Sequence, residues 1–166
     1  MSLTNEAIFH ALHTEFRAMV LTICRGYMKG DLEQANDLTQ DVFVNVWNAL
    51  AKFRNEASHK TWIYRITVNT CLLQIRKSKK TTNVPINNAL QAADYKESSQ
   101  TENEQLLYHA IGKLDELDRL MIMMVLDELP YDEIAQIIGI TENNLRVKIH
   151  IAKNKLKNLL EHEQRN

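Results

Sequence analysis

The stretch Tyr131-Asp132-Glu133-Ile134-Ala135-Gln136-Ile137-Ile138-Gly139-Ile140-Thr141-Glu142-Asn143-Asn144-Leu145-Arg146-Val147-Lys148 decides the reading of this chain. Ile134, Ile137 and Ile138 recur at helical spacing, and Ala135 is small enough to let a second helix approach. Gly139 follows the last periodic residue, where a left-handed cap costs a glycine nothing. Thr141 has the side chain to cap a second helix. That helix carries Asn143, Asn144, Arg146, Lys148 and His150, with Lys153 beyond them. Such side chains donate to base edges and phosphates in a major groove. The stretch reads as a helix-turn-helix whose second helix touches DNA. Two short helices joined by a glycine turn also occur in helical proteins that bind no nucleic acid. The basic second helix, with apolar Leu145 at its offset, favours the DNA reading.

The rest of the chain agrees with an all-α fold. Its 166 residues suit one medium domain or two small ones, and 45% of them are apolar, enough for a packed core. With 4 Gly and 2 Pro the chain is poor in turn formers, and no alternating strand pattern of useful length interrupts the helical ones. The net charge of −1 does not announce a nucleic-acid binder, but its distribution does. Between Lys52 and Lys80 stand Lys52, Arg54, Lys60, Arg65, Arg76, Lys77, Lys79 and Lys80, against Glu56 alone. From Glu142 onward six cations face Glu142, Glu161 and Glu163. Between Asp31 and Asp41 only acids occur: Asp31, Glu33, Asp37 and Asp41. Two basic segments separated by acidic ones predict two DNA contacts and a protein contact.

Cys24 and Cys71 lie in apolar helical patterns with no ligand spacing, which predicts buried, reduced thiols in a cytoplasmic protein. The N-terminus lacks the apolar run of a signal peptide. No segment approaches the ~20 apolar residues that span a bilayer, so direct membrane insertion is not expected.

Periodicity predicts a helix from Thr4 or Asn5 to Met28, with Phe9, Leu12, Phe16, Met19, Val20 and Ile23 buried and Gly30 ending it. A second helix runs from about Leu32 to Leu50 on Leu38, Val42, Val46 and Leu50. After a loop at Lys52–Ser58, a third runs from about Lys60 to Lys79, with Trp62, Ile66, Val68 or Asn69, Leu72, Leu73 and Ile75 shared between core and groove. The pattern dissolves between Thr81 and Thr101, a length uncommon for a loop inside one compact domain. The expected organisation is therefore two small helical domains, 1–80 and 102–166, joined by a flexible linker at 81–101. The second domain is read as helices Glu104–Lys113, Glu116–Glu128, Tyr131–Ile138 and Glu142–Glu161, with Asp115 as an N-cap and Pro130 starting the third.

Three blocks, in order, resemble one known family. Asp37-Leu38-Thr39-Gln40-Asp41-Val42-Phe43-Val44-Asn45-Val46-Trp47 is similar to the core-binding helix in region 2 of bacterial sigma factors. The run from Phe53 to Asn69 resembles the −10-reading part of the extracytoplasmic-function (ECF) sigma factors, and Leu114–Leu160 resembles their region 4. The resemblance implies a factor without catalytic chemistry, cofactor or metal, which binds core RNA polymerase and directs it to promoter DNA for transcription initiation. It implies an anti-sigma partner as well. It assigns polymerase binding to Asp37, Gln40, Asp41 and Asn45. Asn69 matches an asparagine that the family uses in −10 reading; with it, the donors and cations Arg54, Asn55, Ser58, His59, Lys60, Arg65, Arg76 and Lys77 are the expected −10 contacts, and Thr141, Asn143, Asn144, Arg146, Lys148, His150 and Lys153 the expected −35 contacts.

The residues are compatible with these roles. Asp37 and Asp41 are four apart, so two carboxylates share a helix face with Gln40, suited to Arg-rich helices. The loop side chains can bond an unstacked base while the arginines hold phosphates. His59 stands where the family often has an aromatic, Ile151 where it usually has an arginine, and Glu128 replaces a common turn glycine. Three rivals remain, one of them a pure anti-sigma or adaptor role, which would give no transcription when added to core polymerase. A stand-alone helix-turn-helix regulator would need a dimer surface, and no heptad seam is visible. A metal enzyme using His10, His13 and Glu15 lacks an evident third ligand and polar pocket.

Overall fold

The computed structural model describes residues 4–80 and 101–165, with the side chains of 75–80 outside that description. Residues 81–100 of the expected linker, and the side chains of Ile75, Arg76 and Lys77, therefore lie outside the described residues. Among the described residues seven α-helices follow one another: α1 Asn5–Tyr27, α2 Leu32–Leu50, α3 His59–Lys80, α4 Glu102–Gly112, α5 Glu116–Leu126, α6 Tyr131–Ile138 and α7 Glu142–Arg165.

Local chemistry sets most boundaries. Thr4 caps α1 by accepting from the Ala7 N–H at 3.2 Å, and Asp31 caps α2 by accepting from Gln34 at 3.1 Å. Between them Lys29 and Gly30 both take left-handed backbone, and the Gly30 N–H bonds back to the Arg25 carbonyl at 2.8 Å. Thr101, at the end of the expected linker, is the N-cap of α4, accepting from the Glu104 N–H. Asp115 occupies the N-cap of α5 without a side-chain capping bond. Gly139, at φ 86°, closes α6 as its position in the sequence requires. Glu128, the residue in place of a turn glycine, takes φ 60°.

Most of the face that periodicity predicts for α1 and α2 is buried, Leu12, Phe16, Val20 and Ile23 against Leu38, Val42, Val46 and Leu50, whereas Phe9 and Met19 are only half-buried. In α3 the buried stripe differs from the expected one. Ile63, Tyr64, Val68 and Cys71 are buried together with Thr61, Thr67 and Thr70, whereas Leu73 is exposed. The threonines tolerate burial because Thr67 and Thr70 donate to the carbonyls of Ile63 and Ile66 at 2.7 and 2.6 Å. Cys24 of α1 and Cys71 of α3 are both buried and free. They neighbour one another: a bond to the Cys24 side chain, then burial, pushes the Cys71 thiol up, so it stays neutral.

The helices from Glu102 onward pack on those before Lys80. The C-terminal part of α1 lies against α4 and α5, and α3 lies against α6. Gly26 permits the first contact, since a Cβ there would overlap the Met123 thioether of α5. Buried Arg119 donates through Nε to the Tyr27 carbonyl at 3.0 Å and through Nη1 to the Leu114 carbonyl at 2.7 Å. Arg25 stacks over the Tyr108 ring at 4.5 Å, and the Tyr64 hydroxyl donates to the Asp127 carboxylate. At the other end, α7 continues a turn beyond Leu160 because Glu163 pairs with Lys113 at 3.1 Å and His109 at 3.3 Å.

Candidate nucleic-acid and protein interfaces

Three surfaces carry the residues singled out in the sequence. The first is the outer face of α2. Asp37, Gln40 and Asp41 are all exposed there, on successive turns. Asn45 is exposed as well, but its amide donates to Thr70 on α3 at 2.9 Å, so part of its bonding capacity is used within the fold. Helical spacing adds two residues that sequence reasoning missed. Val44 is 58% exposed and Trp47 46% exposed, both on the Asp37–Asp41 side. The Trp47 ring meets Phe9 of α1 edge-on at 5.3 Å, which fixes its orientation without covering it. The face thus has an apolar centre and an acidic rim. Their spacing was the available signal, but valine and tryptophan at helical spacing read by default as core.

The second surface is the loop before α3 and the helix start. Phe53 packs its ring against Trp62 at 4.6 Å and His59 at 4.9 Å. Beside these rings lies a cleft of about 200 Å³ lined by Lys52, Phe53, Arg54, Glu56, Ala57, Trp62 and Arg65. The fold therefore brings Arg54 and Arg65 to one cavity, together with an aromatic wall. It does not bring Asn55, Ser58, His59, Lys60 or Asn69 to those walls. Ser58 is committed to capping α3, accepting from the Thr61 N–H at 3.1 Å. Asn55 holds a left-handed turn at φ 58°, a conformation asparagine tolerates. Lys60 and Asn69 are exposed. Trp62, expected as core, is half-buried and also forms part of the wall.

The third surface is α7. Thr141 caps it, accepting from the Asn144 N–H at 3.2 Å, so its hydroxyl is partly committed. Leu145, Ile149, Ala152 and Leu156 are buried, which turns Asn143, Asn144, Arg146, Lys148, His150 and Lys153 outward, all exposed. Arg146 pairs with Glu142 at 2.7 Å and lies 5.5 Å from the Tyr131 ring centroid. Lys153 reaches the Tyr131 hydroxyl at 3.4 Å. Both therefore border α6. Lys148 lies on the opposite edge with Lys155, close to Asp118 of α5. Burial raises the Asp118 carboxyl above the usual carboxylate range, against the pull of Lys155 and Lys148.

Comparison with known proteins bears on both halves. Residues 12–81 match the family model described as Sigma-70 region 2, and residues 104–156 match Sigma-70, region 4. The RNA polymerase sigma factor YlaC of Bacillus subtilis is 32% identical over 133 residues, covering 76% of this chain and 77% of its own. This chain belongs to the ECF sigma factors. The ECF RNA polymerase sigma-E factor of Escherichia coli is 28% identical over 169 residues, covering 93% of this chain and 87% of its own. The fold of this sigma factor is that of RpoE from Bartonella quintana, solved with the anti-sigma factor NepR. Their TM-score is 0.74 at 21% identity, over 92% of this chain and 96% of the other. CnrH, solved with the cytosolic domain of CnrY, gives 0.68 at 20% identity, over 95% and 90%. A match that spans both halves favours a sigma factor over a stand-alone helix-turn-helix regulator.

The His13 ring packs on Phe43 at 4.6 Å, and among the described residues no three His, Cys, Asp or Glu side chains gather in a metal-holding group. Among those same residues no helix is long and apolar enough to cross a membrane.

Proposed function

We propose that this chain binds core RNA polymerase and directs it to promoters, with residues 1–80 as region 2, 81–101 as linker and 102–166 as region 4. The observation that carries this reading is the pairing, in one chain, of an acidic–apolar helix face with two separate cationic surfaces. On this reading Asp37, Gln40, Asp41 and Asn45 meet a basic helical element of the polymerase, and Val44 and Trp47 supply the apolar centre of the contact. Arg54 and Arg65 hold −10 phosphates at the mouth of the Phe53–Trp62 cleft. Asn55, Ser58, His59, Lys60, Asn69, Arg76 and Lys77 bond the unstacked strand around it. A cleft of about 200 Å³ suits one extruded base against Trp62. Thr141, Asn143, Asn144, Arg146, Lys148, His150 and Lys153 meet the −35 duplex.

The factor acts by binding and positioning and performs no catalytic step of its own. We assign it an anti-sigma partner, because RpoE, a sigma factor of the same fold, was solved with the anti-sigma factor NepR. The place of action is the cytoplasm, where the polymerase is. The test is run-off transcription from genomic promoter fragments with core polymerase. Wild-type protein is expected to initiate at discrete sites, and Asp37→Lys/Asp41→Lys to fail on all of them while melting normally. Asn69→Ala and Ser58→Ala/His59→Ala are expected to bind polymerase but to open duplex −10 DNA poorly. Discrete initiation at wild-type levels by the charge-reversed protein would remove the polymerase-docking assignment.

A further inference from the structure

The outward face of α7 is not uniformly polar. At 100° per residue, the direction opposite buried Leu145, Ile149, Ala152 and Leu156 runs through Asn143, Val147, His150, Ile151 and Asn154. Val147 stands near its centre and is 59% exposed. Ile151, one turn on, is 48% exposed. These are two of the few large apolar side chains that the described surface leaves open to water. The i, i+4 spacing makes them one continuous patch. Cations border it on both edges, Arg146 and Lys153 beside α6, Lys148 and Lys155 beside α5. The patch lies within the first three turns of a capped helix that follows a glycine turn, the part of such a helix that reaches base edges.

We infer that Val147 and Ile151 are specificity-determining residues of the −35 contact, reading the C5-methyl groups of thymines in the major groove. The inference rests on the proposed role of α7. Cationic edges fit two flanking phosphate backbones, and the apolar centre then faces the groove floor. There the thymine methyl is the one apolar feature that a base pair presents. An aliphatic side chain offers no hydrogen bond to G, C or A, so the pair selects by burying methyls and by leaving other bases' polar edges dry. A protein ligand would gain no evident advantage from cations on both sides.

The experiment replaces thymine by deoxyuracil, which removes the methyl and keeps the pairing. The −35 element is first located by run-off transcription with holoenzyme, and each of its thymines is then replaced singly. Wild-type holoenzyme is expected to lose about fourfold in promoter affinity for each contacted methyl, the value of one buried methyl group. Holoenzyme carrying Val147→Ala/Ile151→Ala is expected to bind thymine and deoxyuracil templates alike. Both positions are exposed, so the variant folds normally. Wild-type indifference to every replacement, equal sensitivity in the variant, or a −35 element of G·C pairs alone would each overturn the inference. Loss of polymerase assembly by the variant would overturn it too, giving the patch to a protein instead. If no template supports initiation at all, the sigma-factor reading fails and this inference falls with it. Initiation without methyl dependence removes this inference only.

Discussion

Trp47→Ala is expected to weaken binding to core polymerase about a hundredfold while the fold survives. The side chain is 46% exposed. A whole tryptophan covers up to about 250 Å², so a partner that buried the open part would remove roughly 110 Å² from water. At ~25 cal/mol per Å² that contributes about 3 kcal/mol, two orders of magnitude in Kd. Val44, 58% exposed, adds the same kind of surface, and Val44→Ala is expected to cost about tenfold. The effects on folding are smaller and different. Trp47 loses its edge-on contact with Phe9, worth about 0.5–1.5 kcal/mol, whereas an exposed substitution such as Val44→Ala falls within about 0.5 kcal/mol. The assay is competition for fluorescently labelled core polymerase, beside urea denaturation of each variant. The reasoning is refuted if the Val44→Ala/Trp47→Ala double variant unfolds cooperatively yet binds core within twofold of wild type.

Arg119→Met keeps the side-chain bulk but leaves the Tyr27 and Leu114 carbonyls without their charged donor. Urea denaturation should show a loss of about 3–5 kcal/mol, and a loss below about 1 would mean that water replaces the guanidinium. Burial holds the Tyr27 hydroxyl protonated well above its ordinary value near 10, so stability is full below that pH and falls as pH rises beyond it. Tyr27→Phe is expected to flatten this alkaline limb in part, since Tyr108 and Cys71 shift the same way. It should leave stability at pH 7 unchanged or about 1 kcal/mol higher, because the hydroxyl has no hydrogen-bond partner among the described residues. Glu128→Gly relieves a left-handed residue and should raise stability by about 0.5–1 kcal/mol in the same assay; a loss would mean that the glutamate side chain has a stabilising role. Gly26→Val drives Met123 aside and should part α1 from α5. Small-angle scattering should then report a radius of gyration above the roughly 15 Å of a compact chain of this length, and an unchanged radius would refute it.

Features that depend on neighbours in sequence were legible. Thr4, Gly30, Gly139 and Thr141 end or begin helices by bonds to residues at most five positions away, so their chemistry is visible in the chain itself. What depends on a distant partner was not. Counting apolar residues in α3 selects Trp62, Ile66 and Leu73, yet Thr67 and Thr70 are buried beside Ile63, Tyr64, Val68 and Cys71, their hydroxyls satisfied by the helix's own carbonyls. The last turn of α7 is held by Lys113 and His109 on α4, so its apolar period stops too early to predict it. The candidate site divides in the same way. Its charged residues stood out, and Ile151 did as a departure from the family's arginine, but Val44, Trp47 and Val147 did not, because an apolar residue on a helix reads as core until the buried face is fixed by packing.

The packing of the two halves bears directly on the proposed function. The −10 and −35 elements lie about 25 base pairs apart, roughly 85 Å of duplex at 3.4 Å per step. A compact chain of this length, with a radius of gyration near 15 Å, is only about 40 Å across. On the proposed assignment, the cleft beside Trp62 and the outer face of α7 cannot engage both elements while α1 holds α5 and α3 holds α6. On that assignment, binding both elements at once would require that Arg119 leave the Tyr27 carbonyl, that Tyr64 leave Asp127, and that Met123 withdraw from Gly26. Whatever stabilises these contacts in the free protein is subtracted from the affinity of the open form, by the fraction of molecules already open. A partner that favours the closed arrangement lowers that fraction further without covering any DNA-binding residue. The outer face of α2, with Asp37, Gln40, Asp41, Val44 and Trp47, stays exposed in this packing, so the proposed polymerase contact does not itself require the halves to separate.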